Sequence, residues 1–468
     1  MALIKISAFT FFLCLLVAFV PSTQASEDGP VAPSAWTVQQ AVTFALRNSP
    51  DSRITKQRID AAQAQVRQAQ SAFYPRLGIS SQYSQTNNPM YSFGNILNQG
   101  EFTQSINFND PGRTDDLNMS AQIDYRLYNG GRSSAGLMAA KSAATAASQN
   151  STALHNQLAF EVVRAFFTII QADETVQARQ SQIEAIHASL AVAQARFDAG
   201  DLLRTELLNL EVQEAGAKEN LIQTRHTQEL AKRGFLNLLG LEGDTVQIDP
   251  LQDDEILPSP DTHGNGRPEL QYLDSMIQAG DARVRQAAGD RYPTADAFAS
   301  YQVDQGYDIS DGSGNSWMAG IKMNYTLFEG NRSTAALAEA KIRLQELKEQ
   351  RRKLQLNINL EIERARLALH QADERLQVTD KMVELALENA RINRERFKEG
   401  VVLSADLVEV ENRLTDAKVR QVIAKSSHRI AVADLRRALG LAQFEEPADQ
   451  KSAASTTTRN IQNNGGGE

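Results

Sequence analysis

Acidic side chains are the residues whose placement in this sequence could do chemistry. Asp406 and Glu409 follow Gly400 by six and nine residues. A spacing of three puts both carboxylates on one face of a helix. Glu206 follows Gly200 by six residues, the same interval earlier in the chain. Carboxylates gathered round a lumen favour cations and bind divalent ions. On a lone helix they are an ordinary solvated face. The spacing by itself is compatible with both. Other chemistry is sparse. The six histidines, at 155, 187, 226, 263, 370 and 428, never fall at metal-ligand spacing. There is no nucleophile–base set, no glycine-rich phosphate loop and no metal cluster, so an enzyme, a cofactor or a bound metal is not expected.

The elements that must position these carboxylates are written twice. Leu127-Tyr128-Asn129-Gly130-Gly131-Arg132-Ser133 closes an alternating strand and opens a long helix, and Leu327-Phe328-Glu329-Gly330-Asn331-Arg332-Ser333 does the same. The offset of 200 residues persists from Arg196-Phe197 and Gly200 to Arg396-Phe397 and Gly400, and from Leu238-Leu239-Gly240 to Ala438-Leu439-Gly440. This is an internal duplication. In each half a helix ends at Tyr-Pro (Tyr74-Pro75, Tyr292-Pro293), two strands follow, and a long helix turns at glycine into a return helix.

The long helices are predicted over Ser133–Phe197 and Ser333–Phe397, with returns over Leu202–Leu239 and Ser404–Leu439. At 1.5 Å per residue each long helix is about 100 Å. Such a helix needs partners along its whole length. Ile362, Leu369, Leu376, Val383, Ala390 and Phe397 recur every seven residues, the period of coiled-coil packing. An earlier helix is predicted over Trp36–Phe73, with Thr37 as N-cap and a break at Asn48-Ser49-Pro50, and its counterpart runs over Pro268–Asp290.

The strands show strict alternation. Leu77, Ile79 and Tyr83 alternate with small and polar residues, as do Leu117, Met119, Ala121, Ile123, Tyr125 and Leu127. Ala295, Ala297, Ala299, Tyr301 and Val303 continue the pattern, and Trp317, Ala319, Ile321, Met323, Tyr325 and Leu327 complete it. This is the signal of outer-membrane strands. Thr86–Asp116 has no period and is expected to be a long loop; the second hairpin loop, Asp304–Ser316, is shorter. Four strands cannot close a barrel, and an open edge in lipid leaves backbone groups unpaired. Several chains must pool their strands, which the pattern alone does not count. A soluble sandwich with one wet face would share the alternation, but not the long helices joined to each hairpin.

Composition agrees. The 468 residues carry 6 % aromatics and a net charge of −9, with no basic footprint for nucleic acid. Residues 1–25 read as a secretory signal, with Lys5, an apolar run over Phe9–Val20 and a small-residue site at Thr23-Gln24-Ala25. The one cysteine, Cys14, lies inside that run. The expected organisation is a first repeat over 26–240 with its hairpin at 76–128, a proline- and glycine-rich linker over 241–267, a second repeat over 268–441 with its hairpin at 294–328, and a disordered tail over 442–468.

The ordered set of duplicated halves, Tyr-Pro stops, the Leu-Tyr/Phe-x-Gly-x-x-Ser joint and the Phe-x-x-Gly turn resembles the TolC-type outer membrane efflux proteins over about residues 36–441. The resemblance implies a homotrimer with a 12-stranded β-barrel in the outer membrane, continuous with a periplasmic helical coiled-coil barrel. It implies an exit duct for tripartite efflux or type I secretion, docked to a periplasmic adaptor and an inner-membrane pump. It makes Asp406, Glu409 and Glu206 pore-constriction residues, since Gly400 with Asp406 and Glu409 matches the family's tip pattern with Glu in the last place. It makes Phe197, Gly200, Leu202, Phe397, Gly400, Val401 and Leu403 adaptor-contacting tips. Two positions depart from the family pattern. Val402 and Phe397 stand where an Arg and a Tyr would hold the acid at 206, leaving Arg204 or Arg196 as substitutes. A periplasmic coiled-coil scaffold or adaptor without a pore is the competing class, and it has no need of four alternating strands.

Overall fold

The computed structural model describes residues 33–243, 245–249, 257–258, 264–307 and 312–444. The expected signal sequence, parts of the linker and the tail from 445 onward lie outside the described residues. The elements below belong to one compact unit, Ala35–Glu468.

In chain order, α1 is Val38–Asn48, α2 Pro50–Gln70, β1 Arg76–Thr86, α3 Pro89–Asn98, β2 Thr114–Tyr128, α4 Arg132–Asp198 and α5 Arg204–Leu239. Then follow α6 Pro268–Gly289, β3 Thr294–Gln305, β4 Ser313–Asn324, α7 Arg332–Lys398 and α8 Ser404–Leu439. The two halves match except for α1, α3 and their connections. Thr37 caps α1 in a reciprocal box with Gln40. Ser49 caps α2, with Pro50 in its first turn, which explains the break.

Both long helices have 67 residues, about 100 Å each. The joints that launch them need two successive left-handed residues. Gly130 and Gly131 have φ 64° and 78°; Gly330 and Asn331 have φ 64° and 65°. Glycine takes this conformation freely and asparagine tolerates it. At Gly130 a side chain is also excluded, because a Cβ would lie 2.6 Å from the Gly289 carbonyl oxygen.

Helix α4 packs against α2 and α6 on its sheet-proximal half and against α5 and α8 beyond; α7 packs against α6 and α8 in the same way. In α7, Ile358, Ala365, Ala372 and Thr379 form one buried seven-residue column, and Ile362, Val383, Ala390 and Phe397 a second. Leu369 and Leu376 continue the second column half-buried. Two such columns are the seam of a coiled coil. Midway along the helices, Trp36, Phe166, Ile169, Phe235 and Leu239 form the largest core cluster. Trp36 meets Phe44 edge-on at 5.1 Å and bridges Ile248 of the linker. Each of these large side chains contributes roughly 1.5–3 kcal/mol by leaving water. Gln443 donates to the Ala433 carbonyl, and Phe444 joins this cluster, so the fold runs two residues past the expected start of the tail.

The sheet is one antiparallel meander, β1-β2-β3-β4. Its register aligns the apolar positions across strands: Ile79 pairs with Ala121, Ala121 with Tyr301, and Tyr301 with Trp317. Leu77, Ile123, Ala299 and Ala319 form the next row. The opposite face carries Ser80, Asn118, Gln122, Asp124, Arg126, Gln302 and Lys322, with Arg126 ion-paired to Asp296 and Ser80 bonded to Ser120 at 2.7 Å. From Leu117 to Tyr125 the apolar face runs roughly 27 Å along the strand, close to the roughly 25 Å apolar band of an outer-membrane barrel. Ile79 and Trp317 on this face are 83 % and 77 % exposed.

Two expectations need correction. The segment over 86–116 is not a loop throughout. Asn88 caps α3, Pro89 begins it, and Phe93 packs with Phe102 and Phe108 beneath it. A short helix held by three aromatic rings has no long-range period to betray it. β4 ends at Asn324, so Tyr325, Leu327 and Phe328 stand outside the ladder, exposed, as are Tyr74 and Tyr292 ahead of β1 and β3.

Candidate functional site

The two turns that join long and return helices have the same construction. Gly200 (φ 85°) and Gly400 (φ 79°) end α4 and α7 in left-handed caps. The Asp201 N–H donates to the Arg196 carbonyl at 2.8 Å, and the Val401 N–H to the Arg396 carbonyl at 2.9 Å. This is the glycine-capped helix terminus the Phe-x-x-Gly pattern encodes. Ala193, Leu207, Leu210, Phe397 and Leu407 bury themselves between the two turns.

Two polar side chains of the first repeat hold the second. Arg196 donates from Nη1 to the Phe397 carbonyl at 2.9 Å and from Nη2 to the Asp201 carbonyl at 3.3 Å. Its guanidinium lies 5.7 Å from the centre of the Phe397 ring. A Cβ at position 400 would meet Arg196 Nη2 at 2.8 Å, so glycine also makes room for this contact. Glu206 Oε2 accepts the Ser404 N–H at 2.7 Å, capping the first turn of α8. With Val402 and Phe397 in place of polar partners, the acid takes a backbone N–H instead. Arg196, not Arg204, spans the two turns.

A layer higher, Asn412 Oδ1 accepts from Gln182 Nε2 at 2.9 Å and from Gln213 Nε2 at 2.6 Å, joining α4, α5 and α8. Gln182 is buried. Glu411, 4 % exposed, holds Arg394 through two hydrogen bonds, one of them 2.7 Å to Nη2. Those bonds raise the Arg394 pKa above its ordinary value. None of these partners was legible in the sequence, because they lie on separate helices up to 230 positions apart.

Asp406 and Glu409 are both exposed on α8, one turn apart. Glu409 pairs with Arg413 on the following turn. Asp406 has no hydrogen-bond or ion-pair partner among the described residues. Of the expected tip contacts, Val401 and Leu403 are 63 % and 61 % exposed, and Leu203 beside them is 72 %. Leu202 is half-buried against the tip cluster, as is Phe197. Phe397 is 1 % exposed. It is the centre of the tip core, so its side chain offers no surface to an adaptor.

A second polar centre lies level with the linker. Glu361 accepts from Arg437 Nη1 at 2.6 Å and from Arg267, which also bonds Glu269 at 2.6 Å and the Ala438 carbonyl at 3.2 Å. Burial pushes the Glu361 carboxyl up, but the two guanidiniums outweigh it and hold the group below its ordinary value. This centre locks α7, α8 and the end of the linker together. No helix among the described residues is long and apolar enough to cross a membrane, and none of their acidic, histidine or cysteine side chains gather as a metal site.

Against known proteins, the family model described as outer membrane efflux protein matches residues 42–241 and 263–441. Protein CyaE of Bordetella pertussis is 23 % identical over 414 residues, covering 86 % of this chain and 83 % of its own. The outer membrane efflux protein BepC of Brucella suis is 20 % identical over 328 residues, 67 % of this chain and 69 % of its own. Among solved structures, the outer membrane protein VceC of Vibrio cholerae aligns with a TM-score of 0.73 at 18 % identity, covering 87 % of this chain and 97 % of that one.

Proposed function

The chain belongs to the outer membrane efflux protein family, and from that membership we propose that three copies form a continuous exit duct across the outer membrane and periplasm. It is an outer membrane protein, and its work is efflux, a transport task. The observation that carries the trimer is the sheet. Its four strands leave β1 and β4 as edges and expose one apolar face. Edges in lipid must pair, and only closure removes them. Two chains would close eight strands, a barrel filled by its own side chains, whereas three chains close twelve around a lumen lined by the polar face.

The helices continue that ring away from the membrane. The turns at Gly200 and Gly400 form its periplasmic tip. Asp406 and Glu409 of three copies make an acidic collar there that favours cations, and Glu206 fixes the α8 terminus carrying them. Leu203, Val401 and Leu403 form the exposed apolar ends suited to a periplasmic adaptor, through which an inner-membrane pump of an efflux or type I secretion system delivers cargo. No catalysis is assigned to the chain.

The test is single-channel recording from detergent-purified protein in planar bilayers, comparing wild type with Asp406→Asn/Glu409→Gln. A cation-selective conductance that divalent ions block in wild type, and less selectivity in the variant, is expected. Equal selectivity removes the collar. Protein that does not insert into the membrane at all removes the duct.

A further inference from the structure

Where α4, α7 and α8 meet, beside the Glu361 centre, a groove carries positive charge that the chain itself leaves unanswered. It holds a cavity of about 500 Å³, within the size range of small-molecule sites. Ala372, Ala424, Ile430 and Ala431 make its wall apolar, together with the buried Phe160. Arg164 of α4 and Arg375 of α7 border it, both exposed, and neither side chain has a hydrogen-bond or ion-pair partner among the described residues. Other arginines of α7 and α8 are answered: Arg366 and Arg391 pair with acids one turn away, and Arg394 with Glu411. The acids beside the groove are already engaged. Glu161 accepts from Gln157 at 2.9 Å, Asp434 from Arg437 at 2.6 Å, and Asp373 meets His428 at 2.7 Å.

Phe160 sets the geometry. The Arg437 guanidinium lies over its ring at 5.0 Å from the centre, and the Arg164 guanidinium at 5.7 Å. Arg437 is also held by Glu361 and Asp434. Arg164 is steadied by the ring alone, which uses none of its N–H groups and leaves the planar fork free. Gln371, one turn before Arg375, and the half-buried Ser427 of α8 border the same cavity with side chains that make no hydrogen bond among the described residues. We infer that this groove binds an amphipathic organic carboxylate. Its carboxylate is taken by Arg164 and Arg375, and its apolar body lies against Phe160, Ala372 and Ile430. A guanidinium fork matches a carboxylate in plane and can bond both oxygens. An inorganic ion would leave the apolar wall wet, and a neutral apolar molecule would cover two cations without compensating them. Nothing in this site requires the assembly proposed above.

The experiment is isothermal titration calorimetry of the full chain in lipid nanodiscs, with 1-naphthoate as the probe, 1-naphthamide as its neutral counterpart and empty nanodiscs as the blank. Saturable binding of about one naphthoate per chain is expected, with naphthamide weaker by at least about tenfold. Arg164→Gln/Arg375→Gln should weaken naphthoate by at least about tenfold. Because neither arginine has an ion partner among the described residues, that variant should keep the wild-type thermal midpoint, recorded alongside. Ala368→Trp, at an exposed position bordering the cavity, obstructs it with both arginines in place and should abolish binding; it decides alone if the double variant does not fold. Wild-type protein that takes up no naphthoate, or binds naphthoate and naphthamide equally, overturns the site. So does either folded variant that binds naphthoate as wild type does.

Discussion

Replacing Arg196 with methionine removes the charge that ties the two turns of a chain and keeps most of the side-chain volume. The bond to the Phe397 carbonyl is 2.9 Å and charge-assisted, a class that contributes about 1.5–3 kcal/mol. The guanidinium over the Phe397 ring at 5.7 Å adds about 0.5–1 kcal/mol at an exposed site. Arg196 is half-buried, so water screens both contributions, and methionine retains contact with the ring. The net loss is about 2 kcal/mol per copy, or about 30-fold in the local equilibrium between joined and splayed turns. With three copies round one constriction the losses act on the same gate. In planar bilayers, Arg196→Met is expected to give larger and longer openings than wild type. Arg196→Lys, which keeps the charge without the fork geometry, should fall between them. If Arg196→Met channels match wild type in conductance and open time, the cross-turn contact does not restrain the tip and the reasoning fails.

Two further outcomes follow from the same structure. Glu361→Gln should lower the thermal midpoint, read from Trp36 fluorescence in a Trp317→Phe background, by the equivalent of about 1–2 kcal/mol, the low end for a charged network because Glu361 is about a third exposed. Because the folded Glu361 titrates below its ordinary value, its stabilisation is complete above the unfolded pKa and is lost as pH falls through the folded one. The gap between wild type and variant should therefore close under acid, and a gap that widens there would contradict the assignment. On the sheet, Ile79→Lys places a charge in the middle of the apolar band, at a cost of about 2–4 kcal/mol. It should reduce the membrane-inserted oligomer recovered, whereas Gln122→Lys on the opposite face should not. Equal recovery would mean that the apolar face does not meet lipid.

Large periods made most of this fold legible. The duplication, both 67-residue helices and the alternating strands repeat a signal many times, and the register of the sheet then aligns the apolar positions that alternation alone had marked. Segments that say their signal once were harder. Helix α3 announces itself only by Asn88-Pro89, and its stability comes from Phe102 and Phe108, which are not helical. β4 stops before Tyr325 although the alternation continues, because apolar spacing at the water–lipid boundary needs no ladder. At the tip, the sequence located Glu206 and the absence of its family partners. It could not show that a backbone N–H at Ser404 replaces them, since every residue offers one. Phe397 illustrates the same limit: its position beside a turn suggested surface, and only packing against Ala193 and Leu207 makes it core.

The most direct measurement is an electron cryomicroscopy reconstruction of the purified protein in detergent. If the chains pool their strands, it will show three copies, twelve strands and one lumen running from the barrel to a narrowed end at Gly200 and Gly400. Dimers with a filled eight-stranded barrel, or single chains with the sheet packed on soluble protein, would contradict the duct.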